Sequence, residues 1–203
     1  MGLDLGKAHG WIVDELARRR PTKDSMAALV DLCQAASPHP DWARLQSLPY
    51  ADLSGLSDWV SRPFRDEPPA RPLRGLWFGL FNPYHDGEAS ADIYVSGSER
   101  FAMSSDSNEW AVGPEWWPDA RYAGSPVLAH IYRIAYREGG LGNDAEYPLC
   151  LGYGAFAVQE LLGRIEPTLV LGDSASLGVA VGFDSGDFVL LGEFRPSGLV
   201  TSI

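Results

Sequence analysis

Four prolines, Pro63, Pro68, Pro69 and Pro72, fall between residues 63 and 74. Proline lacks the backbone N–H and clashes with the preceding helical turn, so this stretch reads as neither a helix nor a central strand. It is the one credible linker in the chain, and it separates two different sequence patterns. Residues 1–62 carry apolar side chains at helical spacing, whereas residues 75–203 alternate strand-like runs with two helices. The expected organisation is a helical lobe (1–62), a Pro-rich linker (63–74) and an α+β domain (75–203), packed as one unit.

The charge changes at the same boundary. The formal net charge of the 203-residue chain is -11. Residues 1–75 balance ten basic against ten acidic groups, so the whole excess lies beyond them. Between residues 76 and 120, Arg100 stands alone against Asp86, Glu88, Asp92, Glu99, Asp106, Glu109, Glu115 and Asp119. Such a surface repels phosphate backbones, which argues against direct nucleic-acid binding, and attracts a basic partner. No apolar run reaches the 18 residues a membrane span needs, and the N-terminus lacks the apolar core of a signal peptide. A cytoplasmic location is therefore expected. Fourteen Arg against two Lys, with abundant Ala and Gly, fit a bacterial, high-GC composition.

In the first part, Leu5, Ala8, Trp11, Ile12 and Leu16 form one helical face, with Asp4 as N-cap and Arg18–Arg20 in the last turn. The Arg18–Arg20 run reads as a solvated helix end rather than an anion site. Thr22 caps a second helix that presents Met26, Leu29, Val30, Cys33 and Ala36 inward; shorter turns follow around Trp42, Leu45, Leu56 and Trp59. In the second part, Leu76–Phe81 is a continuous apolar run, a strand buried on both faces, and Ala91–Val95 alternates as its hairpin partner. Ser125-Pro126 starts a helix, with Ser as cap and Pro at the first position. Asn143 or Asp144 starts the next, whose Gly152, Gly154, Ala155 and Ala157 imply burial against a close neighbour. Thr168–Leu171, Leu177–Phe183 and Asp187–Phe194 read as strands, the last two joined by a tight turn at Ser185-Gly186. The fold class is α+β: a mainly antiparallel sheet with two helices on one face, preceded by the helical segment.

Catalytic patterns do not assemble. Leu169–Ser174 resembles the nucleophile block of the Gly-Asp-Ser serine hydrolases, but no His follows Ser174, and a serine needs a base to be activated. An enzyme with a dispersed site would use Ser174 or His130. His9, His39, His85 and His130 lack paired metal-ligand spacing. Gly178 and Gly182 are not followed by the Lys-Ser/Thr of a phosphate loop. No cofactor or metal is therefore expected.

Carboxylates interleaved with tryptophans are the residue types of a hot-spot surface, the aromatics giving area and the charges steering. The candidate partner-binding residues are Asp86, Glu88, Asp106, Glu109, Trp110, Glu115, Trp116, Trp117 and Asp119, with at least one of Trp116 and Trp117 in the core. The stretch Gly178-Val-Ala-Val-Gly-Phe-Asp-Ser-Gly-Asp-Phe188, within a small acidic α+β format, resembles cytoplasmic immunity proteins of bacterial toxin systems. That resemblance implies tight binding of a cognate basic toxin. An adaptor subunit that binds a different basic protein is the alternative outside catalysis.

Cys33 and Cys150 each sit in an apolar stretch without metal or redox spacing, so both are expected to be buried free thiols. Thiol titration in denaturant without reductant should find both; finding neither would establish a disulfide instead.

Overall fold

In strand Gly75–Phe81 (β1) alternate residues leave on opposite sides of the sheet. Leu76, Phe78 and Leu80 enter the main core, while Trp77 enters a separate aromatic cluster. Both faces of this strand are therefore covered, as its continuous apolar run requires. The computed structural model describes residues 2–82, 84–85, 88–101, 108–184 and 186–201.

The N-terminal part forms helices α1 (Leu5–Leu16), α2 (Thr22–Ala36), α3 (Asp41–Gln46), α4 (Ser54–Val60) and α5 (Arg62–Asp66). After β1 come a two-stranded ribbon of β2 (Tyr84–His85) and β3 (Glu88–Ala89), then β4 (Asp92–Ser98) and β5 (Tyr122–Gly124). Helices α6 (Pro126–Ala135), α7 (Asn143–Leu162) and α8 (Pro167–Leu171) follow, and β6 (Leu177–Phe183), β7 (Phe188–Arg195) and β8 (Gly198–Val200) complete the chain. The six-stranded sheet has the order β5-β4-β1-β6-β7-β8. Among the described residues, β1–β6 is the one parallel pair of this sheet and the other pairs are antiparallel. The fold is α+β, as the sequence pattern implies.

Helix α7 lies against β1, β6 and β7, and α1, α2 and α6 pack against it. Its nearly all-round burial follows from that central place. Gly152 brings Leu29 of α2 close to the α7 backbone, and Gly154 does the same for Leu80 of the sheet. Residues of α1 and α2 share one continuous core with those of β1, β6 and β7.

Local signals in the sequence have mixed outcomes. Asp4 caps α1 by accepting the Lys7 N–H at 3.1 Å, and Ser125 caps α6 by accepting the Leu128 N–H at 3.3 Å. Thr22 is not a cap: its N–H and hydroxyl both donate to Glu160, each at 2.7 Å. Asp144 lies in the first turn of α7, where its carboxylate accepts the Leu3 N–H at 3.0 Å. Thr168–Leu171 belongs to a helix rather than a strand. A three-residue apolar run, Leu169–Leu171, has no period that separates the two, and Pro167 starts the turn. The Pro-rich segment also holds a helix, α5, because Pro63 sits in the first turn, where a missing N–H is no loss. Phe64 stacks on Trp116, whose indole N–H donates to the Glu67 carbonyl at 2.7 Å. The Glu67 carboxylate accepts from the N–H groups of Asp119 and Ala120, which hold its pKa below the usual range. The segment is thus pinned to the sheet domain.

Glu15 ties α1 to α2. Its side chain is fully buried and binds Arg18 at 2.6 Å, Arg20 at 2.5 Å and the Ser25 hydroxyl at 2.9 Å. Burial alone raises a carboxyl pKa, but these three partners outweigh it and the net shift is downward. A depressed folded-state pKa gives stability that is present above the unfolded value and lost as pH falls through the folded one. Glu15→Gln should therefore cost about 2 kcal/mol near neutral pH. The difference from wild type should close on acidification below about pH 4, around the reference carboxyl range. Denaturant unfolding of both proteins across a pH series measures this; a constant difference would contradict it.

Candidate functional site

The face of the sheet opposite α7 owes its shape to glycines. Gly75 pairs with Gly178 and Gly79 pairs with Gly182 across the parallel β1–β6 ladder. All four share one face with Trp77, so two in-register gaps open there. A side chain at Gly75 or Gly178 would overlap the Phe101 ring, which packs edge-on against Trp110. A side chain at Gly79 would overlap Tyr94, and one at Gly182 would press on Trp77 and Phe188. Aromatic rings thus lie over glycine backbone and replace the helices that cover the other face.

One row of residues crosses five strands in register: Tyr122, Tyr94, Gly79, Gly182 and Phe188. Because Gly79 has no side chain, the Tyr94 ring lies across β1, and its hydroxyl donates to Asp184 at 2.7 Å, just past the end of β6. Burial, then the Asp184 carboxylate, push the Tyr94 phenol well above its ordinary pKa. It stays protonated and acts as a fixed donor. Trp117 meets Tyr94 edge-on with ring centroids 5.5 Å apart. The Arg121 guanidinium lies 4.5 Å from the Trp117 centroid and 4.6 Å from that of Tyr122, and donates to the Pro118 carbonyl at 2.9 Å. Phe81, Trp117 and Tyr122 remain 37%, 45% and 40% exposed, a contiguous aromatic surface at the β5 side of the sheet.

The three tryptophans expected at a partner surface part company here. Trp116 bridges Gly97 as a strand residue, so Trp116 and Trp117 point to opposite faces. Trp116 enters the main core, and Trp117 emerges on the aromatic face. Trp110 is buried against Trp77 and Phe101. Of the three, only Trp117 can anchor a partner. Glu109 and Asp119 are exposed. Glu115 accepts the Glu99 N–H, which holds its carboxyl below the usual range, and pairs with Arg100 at 2.9 Å. Glu88 lies in β3, while Asp86 and Asp106 fall outside the described residues. Tyr94, Arg121 and Asp184 complete the face. Tyr94 and Arg121 are not among the sequence candidates, and Asp184 reads from the sequence as a flank of the turn at Ser185-Gly186.

The catalytic candidates stand apart. Ser174 borders a cleft of about 390 Å³ with Asp173, Ser176 and Glu193, but its hydroxyl donates to the Leu73 carbonyl at 2.9 Å. His130 lies exposed on α6, its Nδ1 2.6 Å from the Pro126 carbonyl. Arg137, just past the end of α6, is taken by the buried Asp41 through Nε at 2.9 and 3.0 Å. Among the described residues, no group of three or more His, Cys, Asp or Glu could hold a metal ion. No helix among them is long and apolar enough to cross a membrane.

Comparison of the chain with protein-family models, curated proteins and solved structures finds no match.

The split between the adjacent tryptophans has a measurable consequence. Trp116→Ala should destabilise the fold by about 3–5 kcal/mol, the range for a large aromatic lost from a core. Trp117→Ala should cost under about 1 kcal/mol, since it removes an exposed ring and one cation–π contact. Equilibrium unfolding of the two variants separates these expectations, and equal losses would contradict the assignment of faces.

Proposed function

We propose that this chain is a binding protein whose aromatic sheet face captures a basic protein partner, in the manner of an immunity protein that sequesters a toxin. The observation that carries this reading is the Trp117–Arg121–Tyr122 stack, whose two rings are exposed, set on the sheet of a chain of net charge -11. Exposed aromatics on a pre-organised surface are the usual anchors of a protein interface. Glu109 and Asp119 supply local negative charge for steering.

The division of labour follows from exposure. Solvated charges such as Asp119 act on the encounter, over distances set by salt, so they govern association. Trp117 acts through contact and excluded water, so it governs dissociation.

The test begins with affinity capture from the native host and mass spectrometry, comparing wild type with Trp117→Ala. A basic protein retained by the first and lost by the second is expected; equal retention would place the binding surface elsewhere. With the captured partner, charge reversal at Glu109 and Asp119 should slow association at low salt. That effect should fade toward 1 M salt, where the Debye length is roughly 3 Å. Trp117→Ala should speed dissociation by about 30-fold, equivalent to the roughly 2 kcal/mol of an anchor residue. Wild-type rates for the charge-reversed protein throughout the salt series would reduce the acidic surface to a solubilising one.

A further inference from the structure

Next to the Trp117–Arg121–Tyr122 stack lies a groove of about 250 Å³, lined by Trp117 but not by Arg121. Trp77, Tyr94, Val112, Trp117, Phe183 and Asp184 line it. We propose that this groove receives one arginine side chain of the basic partner, its guanidinium on the rings of Tyr94 and Trp117 and against the Asp184 carboxylate. The proposal deepens the reading of this face as a surface for a basic protein, and rests on it.

Three observations favour a guanidinium. The volume falls below the roughly 300–1,000 Å³ of sites for whole small molecules, and suits a single side chain. Apolar ring surface and one carboxylate together match a planar cation, which stacks on aromatic faces and donates to carboxylate oxygens. The same ring system already holds a guanidinium: Arg121 lies 4.5 Å from the Trp117 centroid, yet Arg121 does not line the groove.

Asp184 is placed for this role. The Tyr94 hydroxyl donates to its Oδ1 and orients the carboxylate. No Lys or Arg among the described residues forms an ion pair with it. Its charge is therefore available to a cation from outside. Tyr94 is a positioning residue here, since it acts through Asp184 as well as by its ring.

The probe is a blocked Gly-Arg-Gly peptide, followed by the indole N–H resonances of the ¹⁵N-labelled full-length protein. The expected result is a saturable shift of the Trp117 and Trp77 signals, with the buried Trp42 unmoved. Asp184→Asn keeps an acceptor for Tyr94 and removes the charge, and should weaken the peptide at least 10-fold. Trp117→Leu should weaken it similarly with unchanged circular dichroism, and a blocked Gly-Lys-Gly peptide should bind several-fold more weakly than the arginine peptide. Equal affinity for wild type and Asp184→Asn, or equal shifts with a blocked Gly-Gly-Gly peptide, would overturn the groove assignment. A labelled nona-arginine peptide separates this outcome from failure of the broader reading. Binding it to wild type and Asp184→Asn alike at low salt leaves a basic-partner surface without this groove. Failure to bind it at all removes both.

Discussion

Gly75 and Gly178, and Gly79 and Gly182, face each other across the parallel β1–β6 ladder, and the second face of the molecule depends on these contacts. A strand buried on both sides needs two covering layers. One layer is helical, built on α7. The other is made of single rings that pack where the strands present only backbone. Tyr94 can cross β1 to reach Asp184 because Gly79 leaves the path clear, and Phe101 can settle on Gly75 and Gly178 for the same reason. Side chains at these positions would displace the rings that cover the strands.

Charge is distributed on the same logic. The buried carboxylates are occupied, Glu15 by Arg18, Arg20 and Ser25 and Asp41 by Arg137, and so is the partly buried Glu160, by Thr22 and Arg164. Each joins segments distant in sequence or turns a helix end, and leaving any of them unpaired would be costly. Glu67 does similar work from a more exposed position by capturing two backbone N–H groups. Asp184, by contrast, has a single hydroxyl partner and no cation among the described residues. Asp184 thus holds its charge beside exposed aromatic surface.

This arrangement separates the aromatic residues by role. Phe64, Trp110 and Trp116 consolidate, each buried against another ring. Phe81, Trp117 and Tyr122 keep substantial exposure at the sheet surface, where solvation leaves room for a partner to gain by covering them. The cleft at Ser174 lacks an equivalent convergence: its hydroxyl serves Leu73, and among the described residues no histidine hydrogen-bonds to it.

Local chemistry was legible in the sequence by itself. The caps Asp4 and Ser125, the β1 and β6 runs, the buried α7 and the α+β class all follow from periodicity and from which residues satisfy helix ends. The acidic excess beyond residue 75 is also written in the chain. Short apolar runs and proline positions were not decisive. Pro63 in a first turn permits a helix, and the run at 169–171 has no period that separates helix from strand. The tertiary structure alone decided which tryptophan of the Trp116-Trp117 pair emerges, because only the bridge to Gly97 sets the phase of that segment. It alone brought Tyr94, Trp117 and Asp184 to one groove. Those residues lie far apart in the chain and meet through strand register, a long-range property with no local signature beyond the glycines that make room for it.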